Sequence, residues 1–379
     1  MPEKLVVIQE LFSSYRGPIF DRLGLKYNLI VLHGKKKSDL NQIEKDYSVH
    51  VHPYYFLNGR FVFLNVFSAL RKFRPQVIIH QGSPGILSLP LTWLWCKLNN
   101  TRFALWTHGF ERHQGFRPDR SFRSLLRLAY FKMADGVLFY TKERKDFFKD
   151  KLPAHKLFYA TNTLDTTSLM KLRDQFVMSD VESLKKDLKM NGHFNMVFIG
   201  RLLKDKLADH LILITWRLKN KGVNARAHII GGGEEQVSLK KMADDLGLSE
   251  EVIFYGPVFD DAESGKILFS SDVMVMPGYI GLAINHAYCF DLPVVTYQQS
   301  ANGPFHSPEI DFLENGKTGI MTESNNIDAM TNALLDLAQD PDLLRSYKEN
   351  VRRKVEDLRI EKMEEGFSEC IEYLATKRK

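Results

Sequence analysis

The sequence predicts an α/β fold made of two doubly wound halves, and three observations carry the prediction. Apolar runs of strand length alternate with segments of helix length along most of the chain, the pattern of a parallel sheet covered on both faces. At 379 residues the chain is too long for one ordinary core and suits two domains of roughly 150–200 residues. The alternation also lapses over residues 163–192 and then restarts.

The first series reads KLVVIQ, YNLIVLHG, QVIIHQG, RFALWTHG, GVLFYT and KLFYATN. None of these strands leads into a G-x-G-x-x-G turn, so ordinary dinucleotide binding is not expected. The loop over residues 11–18 carries Gly17, which either lets the backbone approach a ligand or makes a turn before a helix. Over residues 117–132, Phe122, Leu125, Leu126 and Ala129 recur at helical spacing, while Arg120, Arg123 and Arg127 line another face. This helix is expected to pack its apolar face on the core and solvate its arginines, with a membrane surface as the other setting. Lys35, Lys36 and Lys37 read as a solvated loop.

Residues 166–192 read as a connector ending in a helix, closed by Asn191 and Gly192. The second series, over residues 193–359, reads FNMVFIG, ARAHIIGGG, EVIFYG, DVMVMPG and LPVVTY, and all but the last strand end in glycine. A sheet edge built this way lets a ligand's phosphates come close to the backbone. Within it, residues 271–319 form a strand, helix, strand unit. Residues 278–281 fall between the end of a strand and the start of a short helix, where backbone N–H groups favour an anion. A last helix over residues 360–379 is long enough to cross back to the first domain.

Net charge is +6 and unevenly spread: residues 1–170 hold 26 lysines and arginines against 13 acidic residues, and residues 171–379 hold 26 against 33. The basic half is expected to meet something anionic, either nucleic acid, a phosphorylated substrate or an acidic membrane face. No motif accompanies the charge, so nucleic acid is not the expected partner. Cys96, Cys289 and Cys370 lack metal-ligand spacing and suit a reducing compartment. No secretory leader and no apolar run of the ~18 residues needed to span a bilayer are read. The expectation is a cytoplasmic protein.

The second series, with FIGRLLKDK, HIIGGGEE, VIFYGPV and the MPG…GLAINHA…LPVV block in order, resembles the retaining glycosyltransferases of family 4, which have the GT-B fold. In the first half the resemblance rests on Thr107-His108-Gly109 and on Asn162-Thr163-Leu164-Asp165, similar to the family's Asn-Gly-Val-Asp. The resemblance implies two Rossmann-like domains facing a cleft, 1–165 on the acceptor side and 193–359 holding a nucleoside diphosphate sugar. It implies that Arg201 and Lys206 bind the diphosphate with the N–H groups of Gly281, Leu282 and Ala283. Gly231 lies in the family's glycine turn and Val258 in its base-reading loop. His108 matches the histidine beside the reacting sugar. Gly17 and Arg112 are acceptor-side candidates, and His113 is a weaker one.

The family usually places two glutamates where this chain has Gly278 and His286. Glu309 is therefore the candidate to hold ribose or sugar hydroxyls, with helix capping as the other reading, and His286 a candidate at the ribose or phosphate. No metal or other cofactor is expected, since Asp260-Asp261 reads as a helix cap. The implied activity is a hexosyl transfer to a glycan or lipid-linked glycan, of the kind used in bacterial surface polysaccharide synthesis, with peripheral contact at the inner membrane face. A catalytically silent nucleotide-sugar binder and a nucleotide-sugar epimerase of the same fold remain open alternatives.

Overall fold

The computed structural model describes residues 3–34, 42–110, 121–178 and 181–376. Lys35–Lys37, Arg112, His113 and Arg120 lie outside the described residues. The chain divides into two compact units, one running to Asp165 and taking in the segment from Ile360 onward, the other Thr166–Arg359.

In the first unit β1 (Lys4–Leu11), β2 (Asn28–Gly34), β3 (Ser48–His50), an antiparallel pair β4 (Pro53–Phe56) and β5 (Phe61–Leu64), β6 (Val77–Gln81), β7 (Arg102–Thr107), β8 (Gly136–Phe139) and β9 (Leu157–Tyr159) follow in order. Seven of them form a parallel sheet ordered β3-β2-β1-β6-β7-β8-β9. Strands buried on both faces need continuous apolar runs rather than alternation. In β1, Leu5 and Val7 join the core that holds Trp106 and Phe367, while Val6 and Ile8 join the one that holds Phe131 and Phe148. Helices α1 (Gly17–Lys26), α2 (Phe67–Phe73), α3 (Leu89–Leu98), α4 (Phe122–Met133) and α5 (Lys142–Phe147) connect the strands. The hairpin β4–β5 turns at Asn58-Gly59, both with positive φ, an Asn-Gly signal that the strand reading passed over.

The second unit opens with α6 (Thr166–Val177) and α7 (Val181–Asp187). Residues 166–192, read from the sequence as a connector, are thus largely helical and belong with this unit. Its strands are β10 (Phe194–Ile199), β11 (Ala225–Ile230), β12 (Val252–Gly256), β13 (Val273–Met276), β14 (Val294–Tyr297) and β15 (Gly319–Thr322), all parallel in the order β12-β11-β10-β13-β14-β15. Around them run α8 (Ala208–Asn220), α9 (Gln236–Asp245), α10 (Asp261–Ser270), α11 (Ala283–Cys289), α12 (Ile327–Gln339) and α13 (Pro341–Lys354). The strand order reverses between β10 and β13. In open parallel sheets that switch point, at the carboxyl ends of the strands, is where ligands sit.

The last helix, α14 (Ile360–Thr376), packs Met363, Phe367, Ile371 and Leu374 on the first unit's core. Glu364 receives Arg22 and Lys26, each at 2.6 Å. Burial opposes its ionised form, but the two cations outweigh that and hold its carboxyl below the usual range. Among the described residues no helix is long and apolar enough to cross a membrane.

Candidate active site

The loops at the switch point of the second sheet are knitted together through their backbones. Gly278 N–H donates to Lys206 O at 3.0 Å and Tyr279 N–H to Asp205 O at 2.9 Å. Lys206 Nζ returns the contact, donating to Tyr279 O at 2.8 Å and lying 4.1 Å above the Tyr279 ring centre. An ammonium has three donors, so the bond to this carbonyl engages one of them. The loops after β10 and β13 are thereby one assembly. Arg201 is exposed at the carboxyl end of β10. On the facing loop Gly281, Leu282 and Ala283 precede the first bonds of α11, Ile284 N–H to Gly281 O and Asn285 N–H to Leu282 O. The cations and the start of the helix thus share one edge of one sheet.

The glycines at this edge have packing reasons. A Cβ at Gly231 would stand 1.8 Å from Gly200 O, and one at Gly233 2.4 Å from Leu202 O. Leu202 N–H in turn donates to Gly232 O at 2.9 Å, and Gly231 N–H to Gly256 O at 2.8 Å. Gly231 therefore lets the ends of β10, β11 and β12 close against each other. Val258 follows β12 on the same edge, half-buried.

His306 is a residue that the sequence reading did not single out. It is buried, its Nδ1 accepts from Ile280 N–H at 3.2 Å and its Nε2 lies 2.9 Å from Tyr297 O. Those partners require the proton on Nε2. Ser307 N–H donates to Ile280 O at 2.9 Å, and Ser307 Oγ meets Tyr279 Oη at 2.5 Å. The segment over 306–307 thus fixes the backbone that leads into Gly281. Nothing in the local sequence signals this, because Tyr297 and Ile280 lie on other elements of the unit, nine and 26 residues away. Glu309, 3% exposed, stands in the 3-10 turn Pro308–Phe312 just beyond.

Residues 180–354 match the family model described as glycosyl transferases group 1. The match lies within the second unit and spans most of it. A relative named as an uncharacterised glycosyltransferase, from Methanocaldococcus jannaschii, is 24% identical over 371 residues, covering 87% of this chain and 86% of its own. The GDP-mannose-dependent alpha-(1-6)-phosphatidylinositol monomannoside mannosyltransferase of Mycobacterium tuberculosis is 26% identical over 254 residues, covering 62% of this chain and 60% of its own. The crystal structure of Anabaena Alr3699/HepE in complex with UDP superposes with a TM-score of 0.69 at 14% identity, covering 97% of this chain and 99% of that one. The chain has the GT-B fold, with two Rossmann-like sheets.

Within the matched segment position 278 has no room for a carboxylate. A Cβ there would come within 2.2 Å of Asp205 O and 2.4 Å of Lys206 C, both backbone atoms. His286 Nε2 lies 3.9 Å from Asp261 Oδ1, at the start of α10. Asp260 caps that helix, its Oδ1 accepting from Ala262 N–H at 2.7 Å. Among the described residues no cluster of three His, Cys, Asp or Glu is placed to hold a metal ion.

In the first unit a cavity of about 430 Å³ opens at the carboxyl ends of β6, β7 and β8, lined among others by Ser83, Trp106, His108, Arg123, Arg127 and Tyr140. His108 is exposed there, its ring 4.3 Å from that of Tyr140. Arg127 is buried and Arg123 half-buried, whereas Phe122 and Leu125 are exposed. The expected orientation of α4 is therefore partly reversed: Arg123 and Arg127 line the cavity, while Phe122, Leu125 and Ala129 face outward and Leu126 is half-buried. Arg16, one residue before Gly17, was also missed. It is buried, donates to Asn162 Oδ1 at 2.6 Å and to Tyr140 Oη at 3.1 Å, and stacks 4.1 Å above Trp106. Arg16 thereby braces two cavity walls. Gly17 itself is helical, and a Cβ there would meet the end of the Ile43 side chain, Cδ1, at 2.8 Å.

Proposed function

We propose that this protein is a retaining, metal-independent hexosyltransferase that moves a sugar from a nucleoside diphosphate sugar to a glycan or lipid-linked glycan. The observation that carries this is the coupling of the Lys206 loop to the Gly278–Tyr279 loop at the switch point of the second sheet, in the part of the chain that matches the group 1 family. A departing nucleoside diphosphate gathers negative charge, and in this reading Arg201, Lys206 and the N–H groups of residues 281–283 accept it. In the transfer, the acceptor oxygen bonds to the anomeric carbon on the face that the diphosphate leaves. The acceptor's proton passes to the departing phosphate oxygen. His108 orients the sugar, and Glu309 accepts from ribose or sugar hydroxyls.

The acceptor side is assigned to the first unit. Its cavity pairs aromatic walls with Arg123 and Arg127, which suits a glycan that carries phosphate or carboxylate. That the Mycobacterium tuberculosis relative is named for a phosphatidylinositol-linked acceptor agrees with a lipid-borne one.

A second reading is favoured by the filled space at Gly278: a nucleotide-sugar binder without turnover. Incubation with UDP-, GDP- and dTDP-sugars in the presence of EDTA, followed by chromatography of the nucleotide, separates the two. Slow donor hydrolysis with one base, insensitive to EDTA, is expected. Donor binding with no release of nucleoside diphosphate would leave only the silent binder, and loss of release with EDTA would remove metal independence.

A further inference from the structure

Two neighbouring helices of the first unit turn apolar faces to solvent. Leu87, just before α3, and Leu91, Leu94 and Leu98 within it are 42%, 47%, 47% and 78% exposed, and their spacing sets them on one side of the helix. On α4, Phe122 and Leu125 are 77% and 52% exposed, and Ala129 and Lys132 continue the stripe, also exposed. The helices lie side by side. They follow adjacent strands of the sheet, both pack on the core that contains Cys96 and Phe131, and Trp93 Nε1–H donates to Met133 O at 3.0 Å.

Singly exposed leucines are ordinary, but a patch shared by two helices is not. Its charge says what covers it. Neither helix carries an acidic residue. Lys97 and Lys132 end the two stripes, and Lys156 reaches the end of α4, its Nζ donating to Ala134 O at 2.8 Å. Asp135, a carboxylate at that end, is already engaged by Lys97 at 3.0 Å and Arg102 at 3.6 Å. An apolar face fringed by excess cations complements an anionic lipid surface.

We propose that the outer faces of α3 and α4 dock the first unit on an anionic bilayer, with Leu91, Leu94, Leu98, Phe122 and Leu125 entering to headgroup depth. The inference rests on this surface alone and does not depend on the donor site. It does give α4 two roles, lipid on its outer face and the cavity arginines on its inner one.

The full chain is sedimented with neutral phosphatidylcholine vesicles and with vesicles containing phosphatidylglycerol. Binding is expected to be stronger on the anionic vesicles and weakened by salt. Leu91→Ser with Leu94→Ser, and separately Phe122→Ser with Leu125→Ser, should each lower it roughly tenfold or more, with the thermal midpoint and nucleotide affinity of the wild type. Lys132→Glu, which leaves the apolar stripe intact, should lower binding to anionic vesicles only. Absence of wild-type binding would overturn the proposal, as would equal binding by the stripe variants. So would a wild-type dimer that the stripe variants dissolve, which would give this face to a second copy.

Discussion

At the scale of single residues, the two cations of the second unit differ in a way that mutation can read. Arg201 is exposed, so Arg201→Ala should weaken UDP or GDP binding by roughly 10- to 100-fold, the value of one to two charge-assisted contacts, and leave the thermal midpoint almost unchanged. Lys206 also ties Tyr279. Lys206→Ala should lose similar affinity and in addition about 1 kcal/mol of stability, measured by urea denaturation. Gly278→Ala is expected to cost more, about 1–3 kcal/mol or above, because its Cβ would press on Asp205 O and Lys206 C. That Arg201 and Lys206 follow the end of a strand was legible from sequence, because an apolar run closing on Gly200 precedes them. The contacts of Arg16 and His306 were not, since each joins elements that the local sequence does not bring together.

Elements follow the same division. Strands appear where continuous apolar runs stand, because a parallel sheet buried on both faces leaves no other reading of KLVVIQ or FNMVFI. The orientation of α4 escaped prediction. Periodicity finds an amphipathic helix but does not say which face the fold covers, and here the buried face holds Arg127 beside a cavity. The last helix offers a direct check on packing. Gly366 lies mid-helix, a position where alanine usually stabilises, yet a Cβ there would stand 2.1 Å from Tyr159 O and 2.8 Å from Ala160 Cα. Gly366→Ala should therefore destabilise the first unit by about 1–3 kcal/mol, visible in its unfolding midpoint. An unchanged or raised midpoint would show that α14 does not press on β9 this closely.

For the molecule as a whole, each unit buries a neutral histidine. Burial pushes His80 in the first unit down to about 4, against an opposing backbone bond to Gln81. In the second unit burial, with Arg226 and His193 adding to it, takes His228 to about 3, while its ring nitrogens meet Tyr255 Oη at 3.0 Å and Asn195 Oδ1 at 3.1 Å. Both folded values lie below the ordinary ~6.5, so the unfolded chain binds the extra proton. The stabilisation is complete above about pH 6.5 and drains as pH falls towards those values, by about 1.4 kcal/mol per pH unit from each histidine. Urea unfolding across that range should show both units weakening on acidification, and His80→Phe should flatten the slope for the first unit only.

The central claim is that the carboxyl edge of the second sheet holds a nucleoside diphosphate between Arg201, Lys206 and the backbone of residues 281–283. Calorimetric titration of the full chain with UDP and with GDP, repeated on Arg201→Ala, tests it most directly. Saturable binding of one nucleotide by the wild type, falling at least tenfold in the folded variant, is the predicted result. Binding of equal strength in the variant, or none by the wild type to either nucleotide, would contradict it.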